Sequence, residues 1–321
     1  MKTINKIWLI LATVFTLSGI IVFTLAMNLA GWDFMKLSTD KFETETYEFQ
    51  DDFENISVKI DTAHIKFLPS DTENAKVICK ETKKEKHEVS VNDGTLNILL
   101  KDKRHWTDYI SFFSLGSSEI TVYLPKTEYS FIDIHTATGD MEIPQNFKFR
   151  NIQIKGSTAA VKCLASANED IKIALSTGSI SLSDLSARNL DLACSTGNIK
   201  INNITCEDDI NLIVTTGKTA LTNINCKNLI SEGDTGDLIL KEVSAEEKFN
   251  ILRDTGDVRL TSCDAEEIEI ETDTGDIRGT LKTPKIFITD TDTGRIDVPK
   301  STEGGKCEIT TDTGDIKITI E

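Results

Sequence analysis

The chain has little proline, little aromatic content and no excess of positive charge. It carries 5 prolines in 321 residues, 7% aromatic residues and a formal net charge of −17. This charge argues against a nucleic-acid partner, and against electrostatic binding to anionic lipid or wall polymer unless metal ions mediate it. The sequence also lacks HExxH, a nucleophile elbow and a phosphate-binding loop, and its four histidines are scattered. No catalytic signature is therefore visible.

The cysteines form neither a zinc motif nor a complete disulfide set. Their number is odd, and no two of them have CxxC spacing. Cys206 and Cys226 each follow a repeated glycine by nine residues, so they are predicted to lie one above the other and could form a bridge. A ladder of buried free thiols is the favoured prediction. The seven cysteines are Cys79, Cys163, Cys194, Cys206, Cys226, Cys263 and Cys307.

A Thr-Gly pair recurs throughout the second half of the chain at steps of 19 or 20 residues. The one longer step, between Gly139 and Gly178, contains a degenerate copy in which Ala159 takes the glycine place. A fixed period of this size predicts a β-solenoid of about ten coils, roughly 50 Å long at about 4.8 Å per coil. The repeated glycines are Gly139, Gly178, Gly197, Gly217, Gly236, Gly256, Gly275, Gly294 and Gly314.

Apolar and polar residues alternate on both sides of each glycine. Apolar residues lie seven and five places before it, as at Ile171 and Ile173, and two and four places after it, as at Ile180 and Leu182. This period predicts two half-buried strands per coil. The inward residues lie at odd distances before the glycine and at even distances after it, so the backbone must turn there. This predicts a corner with positive φ at the glycine. The hydroxyl of the preceding threonine is predicted to bond backbone groups of the corner.

The chain begins with an uncharged apolar segment of 24 residues, enough to cross a hydrocarbon core of roughly 30 Å. Lys2 and Lys6 precede it, so the N-terminus is predicted to be cytoplasmic and the bulk of the chain to lie outside. An uncleaved anchor is favoured over a signal peptide. The predicted division is cytoplasmic residues 1–6, membrane anchor 7–30, linker 31–44, irregular N-terminal solenoid or cap 45–135, and regular solenoid 136–321.

The irregular N-terminal part contains further strand-like stretches and an aromatic insertion. Ile56 to Phe67 fits the repeat frame with Ala63 in the glycine place, and Val89 to Ile98 is predicted to form another irregular coil. The insertion is predicted to be a small satellite core over the end of the stack. The alternative is an exposed contact for sugar or lipid. Its aromatic residues are Trp106, Tyr109, Phe112 and Phe113.

The other end of the solenoid carries no capping segment in the sequence. The chain runs for one strand beyond Gly314 and stops at Glu321. An uncovered strand edge favours pairing with another chain. Self-association through this C-terminal edge is therefore predicted.

Acidic residues concentrate around the glycines of the last five coils, which read DTGD four times and DTGR once. Stacked carboxylates repel one another, by about 0.9 kcal/mol per pair at 4.8 Å in water. Ca²⁺ would offset this repulsion. The competing prediction is that Arg259, Arg278 and Lys317, three places after the glycine, neutralise the ladder and that Asp serves as a turn residue. The candidate calcium ligands are Asp234, Asp237, Asp254, Asp257, Asp273, Asp276, Asp292, Asp312 and Asp315.

Several stretches together resemble a known family. They are the apolar N-terminal segment, the Phe53-x-x-Ile56-x-Val58 opening, the strand from Ile120 to Pro125, and repeated Thr-Gly-Asp-Ile runs. These resemble the "putative adhesin" or domain-of-unknown-function β-strand-repeat proteins of Gram-positive bacteria, over about residues 45 to 321. The resemblance implies an extracytoplasmic β-solenoid, with some relatives linked to envelope stress responses. It supplies no catalytic residues, and the cysteine content departs from it.

The sequence thus predicts an all-β, single-stack solenoid behind one transmembrane helix, acting without catalysis as an adhesin-like binding or scaffold element of the cell envelope. A rigid repetitive rod offers many equivalent contacts, so weak affinities add through avidity. Its expected partners are the membrane, an envelope polymer or a membrane protein. The alternatives are an accessory or sensor of an envelope-stress system and a polysaccharide-active enzyme.

Overall fold

The computed structural model describes residues 2–33, 41–102 and 117–321. The predicted role of the aromatic insertion around Trp106 therefore lies outside the described residues. One helix, α1 (Lys2–Leu29), precedes the strands, and its Lys6–Leu29 portion is long and apolar enough to cross a membrane. This matches the predicted apolar segment.

The rest of the described chain is almost entirely strand. The strands are β1 Phe42–Phe49, β2 Asn55–Lys59, β3 Ala63–Pro69, β4 Ala75–Thr82, β5 Glu85–Asn92, β6 Thr95–Asp102, β7 Ser118–Leu124, β8 Glu128–Thr138, β9 Met141–Ile143, β10 Lys148–Cys163, β11 Ser166–Ala167, β12 Asp170–Ala187, β13 Asn189–Cys206, β14 Asp209–Thr216, β15 Thr219–Thr235, β16 Leu238–Thr255, β17 Val258–Cys263, β18 Glu267–Thr274, β19 Ile277–Leu281, β20 Lys285–Thr293, β21 Ile296–Asp297, β22 Gly305–Thr313 and β23 Ile316–Ile320.

The coils stack in parallel register, which confirms the predicted β-solenoid. Ile171 pairs with Leu190, which pairs in turn with Ile210, and all three side chains are buried. The predicted inward positions therefore form continuous apolar columns through the stack. Burial of these columns is the main force that holds coil on coil.

The repeated glycines form one column at the first corner of every coil. Gly197 has φ of 141°, and a Cβ there would lie 1.7 Å from the carbonyl oxygen of Gly178 below it. Glycine is thus required both for its backbone conformation and for the close approach of the coils. Ala159 pairs with Gly178, and Ala63 lies against Gly139, so both alanines occupy the glycine place as predicted.

Each regular coil has a second corner and a short third side, so the prediction of two strands per coil is incomplete. Asp184, Asn203 and Asn223, six residues after their glycines, have φ of 56°, 54° and 55°. The amide of Asn203 donates to Oδ1 of Asp184 (2.8 Å), and that of Asn223 donates to Oδ1 of Asn203 (3.0 Å). Asn and Asp tolerate this left-handed conformation. Ile204 and Cys206 then point inward on the third side.

The last two coils are stacked in the reverse of their chain order. Strand β22 lies between β18 and β20, and β23 lies between β19 and β21. The chain re-enters the stack at Gly304-Gly305, where a Cβ on either residue would lie 1.8 Å from the carbonyl oxygen of Pro284 or of Glu266. Only a residue without a side chain fits between those two layers.

This reversal corrects the prediction that the strand after Gly314 forms the uncovered edge. Ile316 and Ile318 are buried between neighbouring coils. The terminal layer is instead β20 and β21, in which Ile286, Ile288 and Ile296 are exposed. In this order Cys307, Ile309, Ile316 and Ile318 are covered by coils on both sides.

The N-terminal end is also out of chain order and is closed by antiparallel strands. Strand β2 lies between β6 and β8, while β3 lies between β7 and β9. Strand β5 pairs antiparallel with β6 through the turn at Asp93-Gly94, so the stretch from Val89 to Ile98 is a hairpin and not the predicted coil. Strand β4 pairs antiparallel with β7, and β1 pairs antiparallel with β4.

The charged side chain of Arg253 interrupts the apolar interior of the regular coils. Arg253 is 2% exposed, its Nη2 donates to Oγ of Ser231 (2.7 Å), and its Nε has no hydrogen-bond partner within the described ranges. Gly233 makes room for it, since a Cβ there would lie 2.4 Å from Nη1. Burial lowers the pKa of Arg253 to about 10.

Candidate binding surface

The aspartates of the last coils form two columns beside the glycine corner. The inner column directly follows the glycines and consists of Asp237, Asp257, Asp276 and Asp315. The outer column lies two residues before the glycines and consists, in stacking order, of Asp234, Asp254, Asp273, Asp312 and Asp292. Neighbouring members of a column belong to strands about 4.8 Å apart. The structure thus brings all nine predicted residues to one edge of the solenoid.

The inner column is used by the fold itself. Oδ1 of Asp237 accepts from the backbone N–H of Asp257 (3.2 Å), and Oδ1 of Asp257 accepts from that of Asp276 (3.0 Å). Oδ1 of Asp276 accepts from the N–H of Asp315 (2.8 Å), and Oδ1 of Asp315 accepts from that of Arg295 (3.1 Å). Each carboxylate therefore bonds the coil stacked on it, and these bonds are charge-assisted.

Arginines three places after the glycine neutralise most of the inner column, as one of the two sequence hypotheses predicted. Arg259 lies 2.7 Å from Asp257, and Arg278 lies 2.7 Å from Asp276 and 3.4 Å from Asp315. Lys317 instead pairs with Asp297 (3.8 Å) in the terminal coil. The inner carboxylates therefore have partners within the protein.

The outer column has no such partners. All five of its aspartates are exposed, and none of them makes a hydrogen bond or an ion pair with another residue in the described parts of the chain. Uncompensated carboxylates at strand spacing repel by about 0.9 kcal/mol per neighbouring pair in water. The outer column is therefore a line of negative charge directed at solvent.

The threonines just before the glycines run beside the outer column. Their backbones pair in register, as Thr235 does with Thr255 and Thr255 with Thr274, but their side chains are exposed. No hydroxyl of this column bonds the corner backbone within the described residues, so the predicted role of these hydroxyls is wrong. The corner is bonded instead by threonines three places before the glycine, as when Oγ1 of Thr311 donates to the carbonyl of Gly275 (3.2 Å). The outward column leaves its hydroxyls free for a ligand.

A shallow groove on the side after the glycines holds an exposed histidine–carboxylate pair, His64 and Asp140. Nδ1 of His64 accepts from the backbone N–H of Asp140 (3.1 Å) and lies 3.8 Å from its carboxylate. The groove, about 420 Å³, is also lined by Lys66, Glu119 and Lys162. No serine, threonine or cysteine side chain bonds His64 in the described residues. The geometry therefore does not assemble a nucleophile with a base.

A buried polar cluster at the N-terminal end has no motif that sequence reasoning could have found. Cys79 and Glu81 point inward from β4 and His87 points inward from β5, and their candidate ligand atoms lie within 4.8 Å of one another. Burial, with the nearby Glu81 and Glu45 carboxylates, raises the pKa of the Cys79 thiol to about 12. The residues have no motif spacing, because β4 pairs with β7 and β5 pairs with β6, and the two ladders border the same interior.

The cysteines of the described chain are all free and buried, which agrees with the favoured prediction of buried free thiols. Burial raises the pKa of both Cys206 and Cys226 to about 12. Neither the sulfur of Cys206 nor that of Cys226 is bridged. These thiols therefore act as small apolar groups of the third side.

Comparison with known proteins gives a family match and a set of distant structural similarities. A family model described as Toastrack DUF4097 matches residues 53–218 and again residues 207–321. No curated protein matches the chain. The restriction to Gram-positive bacteria implied by the sequence resemblance stays a prediction.

Two solved structures illustrate the structural similarity. A "putative lipid binding protein" from Parabacteroides distasonis is 17% identical, with 75% of this chain and 98% of that chain covered and a TM-score of 0.47. A "putative adhesin" from Parabacteroides merdae is 11% identical, with 88% and 98% covered and a TM-score of 0.47. Similarity of this degree carries no argument about ligand or activity.

Proposed function

The chain belongs to the Toastrack DUF4097 family, and from that premise we propose that it is a non-enzymatic, membrane-anchored binding or scaffold protein of the cell envelope. Helix α1 would anchor it, and the solenoid would project outside the membrane. The positive-inside rule supports this orientation, because Lys2 and Lys6 precede the apolar segment.

The observation that carries the proposal is the outer column with its neighbouring threonines. It presents the same carboxylate and hydroxyl once per coil, exposed and without partners in the described chain. Repetition of equivalent groups suits a repeating partner, since many weak contacts add through avidity. Catalysis would need one distinctive coil, with a base and a reacting group brought together.

The partner we propose is a repeating envelope polymer, contacted through the outer column. The formal charge of −17 opposes direct contact with an anionic polymer. Ca²⁺ is the bridging ion we propose for such a polymer, because it prefers carboxylate oxygens and tolerates irregular geometry. Of the nine candidate ligands, the outer five are the ones we propose for this bridge, since the inner four already bond the protein.

The test is co-sedimentation of the full chain, carried in nanodiscs, with isolated envelope material, with and without Ca²⁺. The variant replaces Asp254, Asp273 and Asp312 by Asn. A matched control replaces three exposed glutamates at another corner, Glu207, Glu246 and Glu266, by Gln, so that both variants lose the same charge.

We expect the outer-column variant to lose binding by about tenfold or more, because avidity multiplies weak contacts, and the control to bind as the wild type does. Equal binding by all three proteins would overturn the proposed contact surface. Sugar released into the supernatant would instead support the polysaccharide-active alternative. No binding by the wild type would favour a membrane-protein partner and the accessory or sensor role.

Self-association is a second part of the proposal, at the terminal layer formed by β20 and β21. Ile286, Ile288 and Ile296 are 43%, 50% and 44% exposed there, and among the described strands β20 pairs only with β22. A strand edge with exposed apolar residues favours pairing with another copy. Analytical ultracentrifugation of the wild type and Ile288→Lys tests this, since a charge on the edge should abolish any concentration-dependent dimer.

A further inference from the structure

The buried cluster at the N-terminal end contains three different metal-ligand types. Cys79 and Glu81 are 0% exposed and His87 is 4% exposed. Oε2 of Glu81 accepts from the backbone N–H of His87 (2.7 Å) and lies 2.8 Å from its Nδ1. The thiol, the carboxylate and the imidazole therefore converge in one enclosed space.

The second oxygen of the same carboxylate is left without a hydrogen bond. Oε1 of Glu81 is buried and has no hydrogen-bond partner among the residues that the structure describes. The nearest cation is Nζ of Lys86, at 3.5 Å, and that ammonium bonds Oε1 of Glu45 more closely. A buried carboxylate oxygen without a hydrogen bond is costly in free energy. It marks a place where a bound cation would stabilise the fold.

We propose that Cys79, Glu81 and His87 bind a Zn²⁺ ion that links strand β4 to strand β5. Sulfur, nitrogen and carboxylate oxygen are the donors that zinc accepts, whereas Ca²⁺ takes oxygen alone. Tetrahedral zinc has bonds of about 2.0–2.3 Å, which puts its donors roughly 3.3–3.8 Å apart. Donor atoms already within 4.8 Å need only a small inward shift.

The charges of the cluster also balance with a divalent ion. Zinc displaces the proton of the Cys79 thiol, which leaves one thiolate and one carboxylate around a charge of two. Lys86 keeps its ion pairs with Glu45 and with Glu43 (3.7 Å) outside the metal shell. The metal thus takes the place of the thiol proton, and the sulfur stays in the site as a ligand.

The position gives the metal a structural role. Strand β4 pairs with β1 and β7, while β5 pairs with β6, so the two strands share no backbone ladder in the described chain. The ladder that contains β4 and the ladder that contains β5 cover different sides of the N-terminal coil. A zinc ion held by both strands would fasten the two halves of this cap, and its binding free energy would add to folding.

The first test measures metal in the full chain, expressed with zinc supplementation, purified in mild detergent and dialysed. We expect one equivalent of zinc per chain by elemental mass spectrometry. The same protein produced with cobalt should show a thiolate-to-cobalt charge-transfer band in the near ultraviolet. Absence of stoichiometric metal, or cobalt bound without that band, would overturn the assignment of Cys79 as a ligand.

The second test uses Cys79→Ser, Glu81→Gln and His87→Gln, with Cys163→Ser as the matched control. Cys163 is equally buried, but it bonds only the carbonyl of Ala165. Each cluster variant should weaken zinc binding by at least about tenfold, since even the loss of an outer-shell partner has that effect. The control should retain its zinc.

Circular dichroism of every variant separates a lost ligand from a lost fold. Zinc retained at full stoichiometry by all three cluster variants would refute the site. The cobalt spectrum of the wild type decides the question even if a cluster variant does not fold. Neither result depends on the proposed binding role of the outer column.

Discussion

Replacing a single corner glycine should damage the stack more than its small size suggests. In Gly197→Ala, the new Cβ would lie 1.7 Å from the carbonyl oxygen of Gly178 and 2.8 Å from its carbonyl carbon. The φ of 141° at Gly197 adds backbone strain of about 1–3 kcal/mol for a residue with a side chain. Overpacking adds about 1–3 kcal/mol more. We expect a total loss of about 2–6 kcal/mol.

The matched control is Gly94→Ala in the β5–β6 turn. Gly94 has φ of 68°, and a Cβ there meets no atom within 4 Å. Its expected cost is the left-handed conformation alone, about 1–2 kcal/mol. The difference between the two variants isolates the close approach of stacked coils.

The assay must resolve local stability, because long repeat arrays do not unfold in one step. Hydrogen exchange of the full chain in detergent, together with the thermal midpoint, meets this need. Amide protection should fall first in the coils that contain Gly178, Gly197 and Gly217. If Gly197→Ala exchanges and melts like Gly94→Ala, the corner glycines are not required for stacking and the argument fails.

Three further perturbations separate structural groups from surface groups. Asp257→Ala should destabilise the chain by about 1–2 kcal/mol, because it removes a charge-assisted hydrogen bond to the next coil. Asp254→Ala should change stability by less than about 0.5 kcal/mol. Equal shifts of the melting temperature would contradict the distinction between the two columns. Arg253→Met should raise the melting temperature and increase the free energy of unfolding by about 1–3 kcal/mol, because the guanidinium is buried without a carboxylate at ion-pair distance in the described chain. A clear decrease in the free energy of unfolding would show that the hydrogen bond to Ser231 dominates. In the native protein, Cys206 and the neighbouring buried cysteines should resist alkylation at pH 8, and rapid alkylation without denaturant would refute their burial. Burial raises the pKa of the Cys206 thiol from 9.0 to about 12. The free energy of unfolding should therefore be unaffected by this group below pH 9 and should fall as the pH rises towards 12.

Much of the solenoid could be predicted because its information is local and repeated. The period of 19 or 20 residues, the inward columns such as Ile171 to Leu190, and the alanines in the glycine place all follow from aligning the chain with itself. The third side also left a signal, since Asp or Asn recurs six residues after several glycines. That signal was weaker, because these residues also suit ordinary turns.

The columns of aspartate could be located but not divided by role. Both columns have the same residue type at the same spacing, so charge alone does not distinguish Asp254 from Asp257. The distinction depends on which carboxylate points along the stack toward the next backbone N–H. The outward threonines were misassigned for the same reason, because the direction of a side chain at a corner depends on corner geometry.

By itself, the sequence determined that this chain forms parallel coils with a glycine column, because each coil repeats the same local pattern of burial. Only the tertiary structure decided the order in which coils stack at the two ends, since identical patterns pair equally well with any neighbour. The insertion of β22 and β23 beneath β20 and β21 depends on the entry at Gly304-Gly305. The proximity of Cys79, Glu81 and His87 is likewise decided by the tertiary structure. Strands from two different ladders must enclose one interior to bring these residues together.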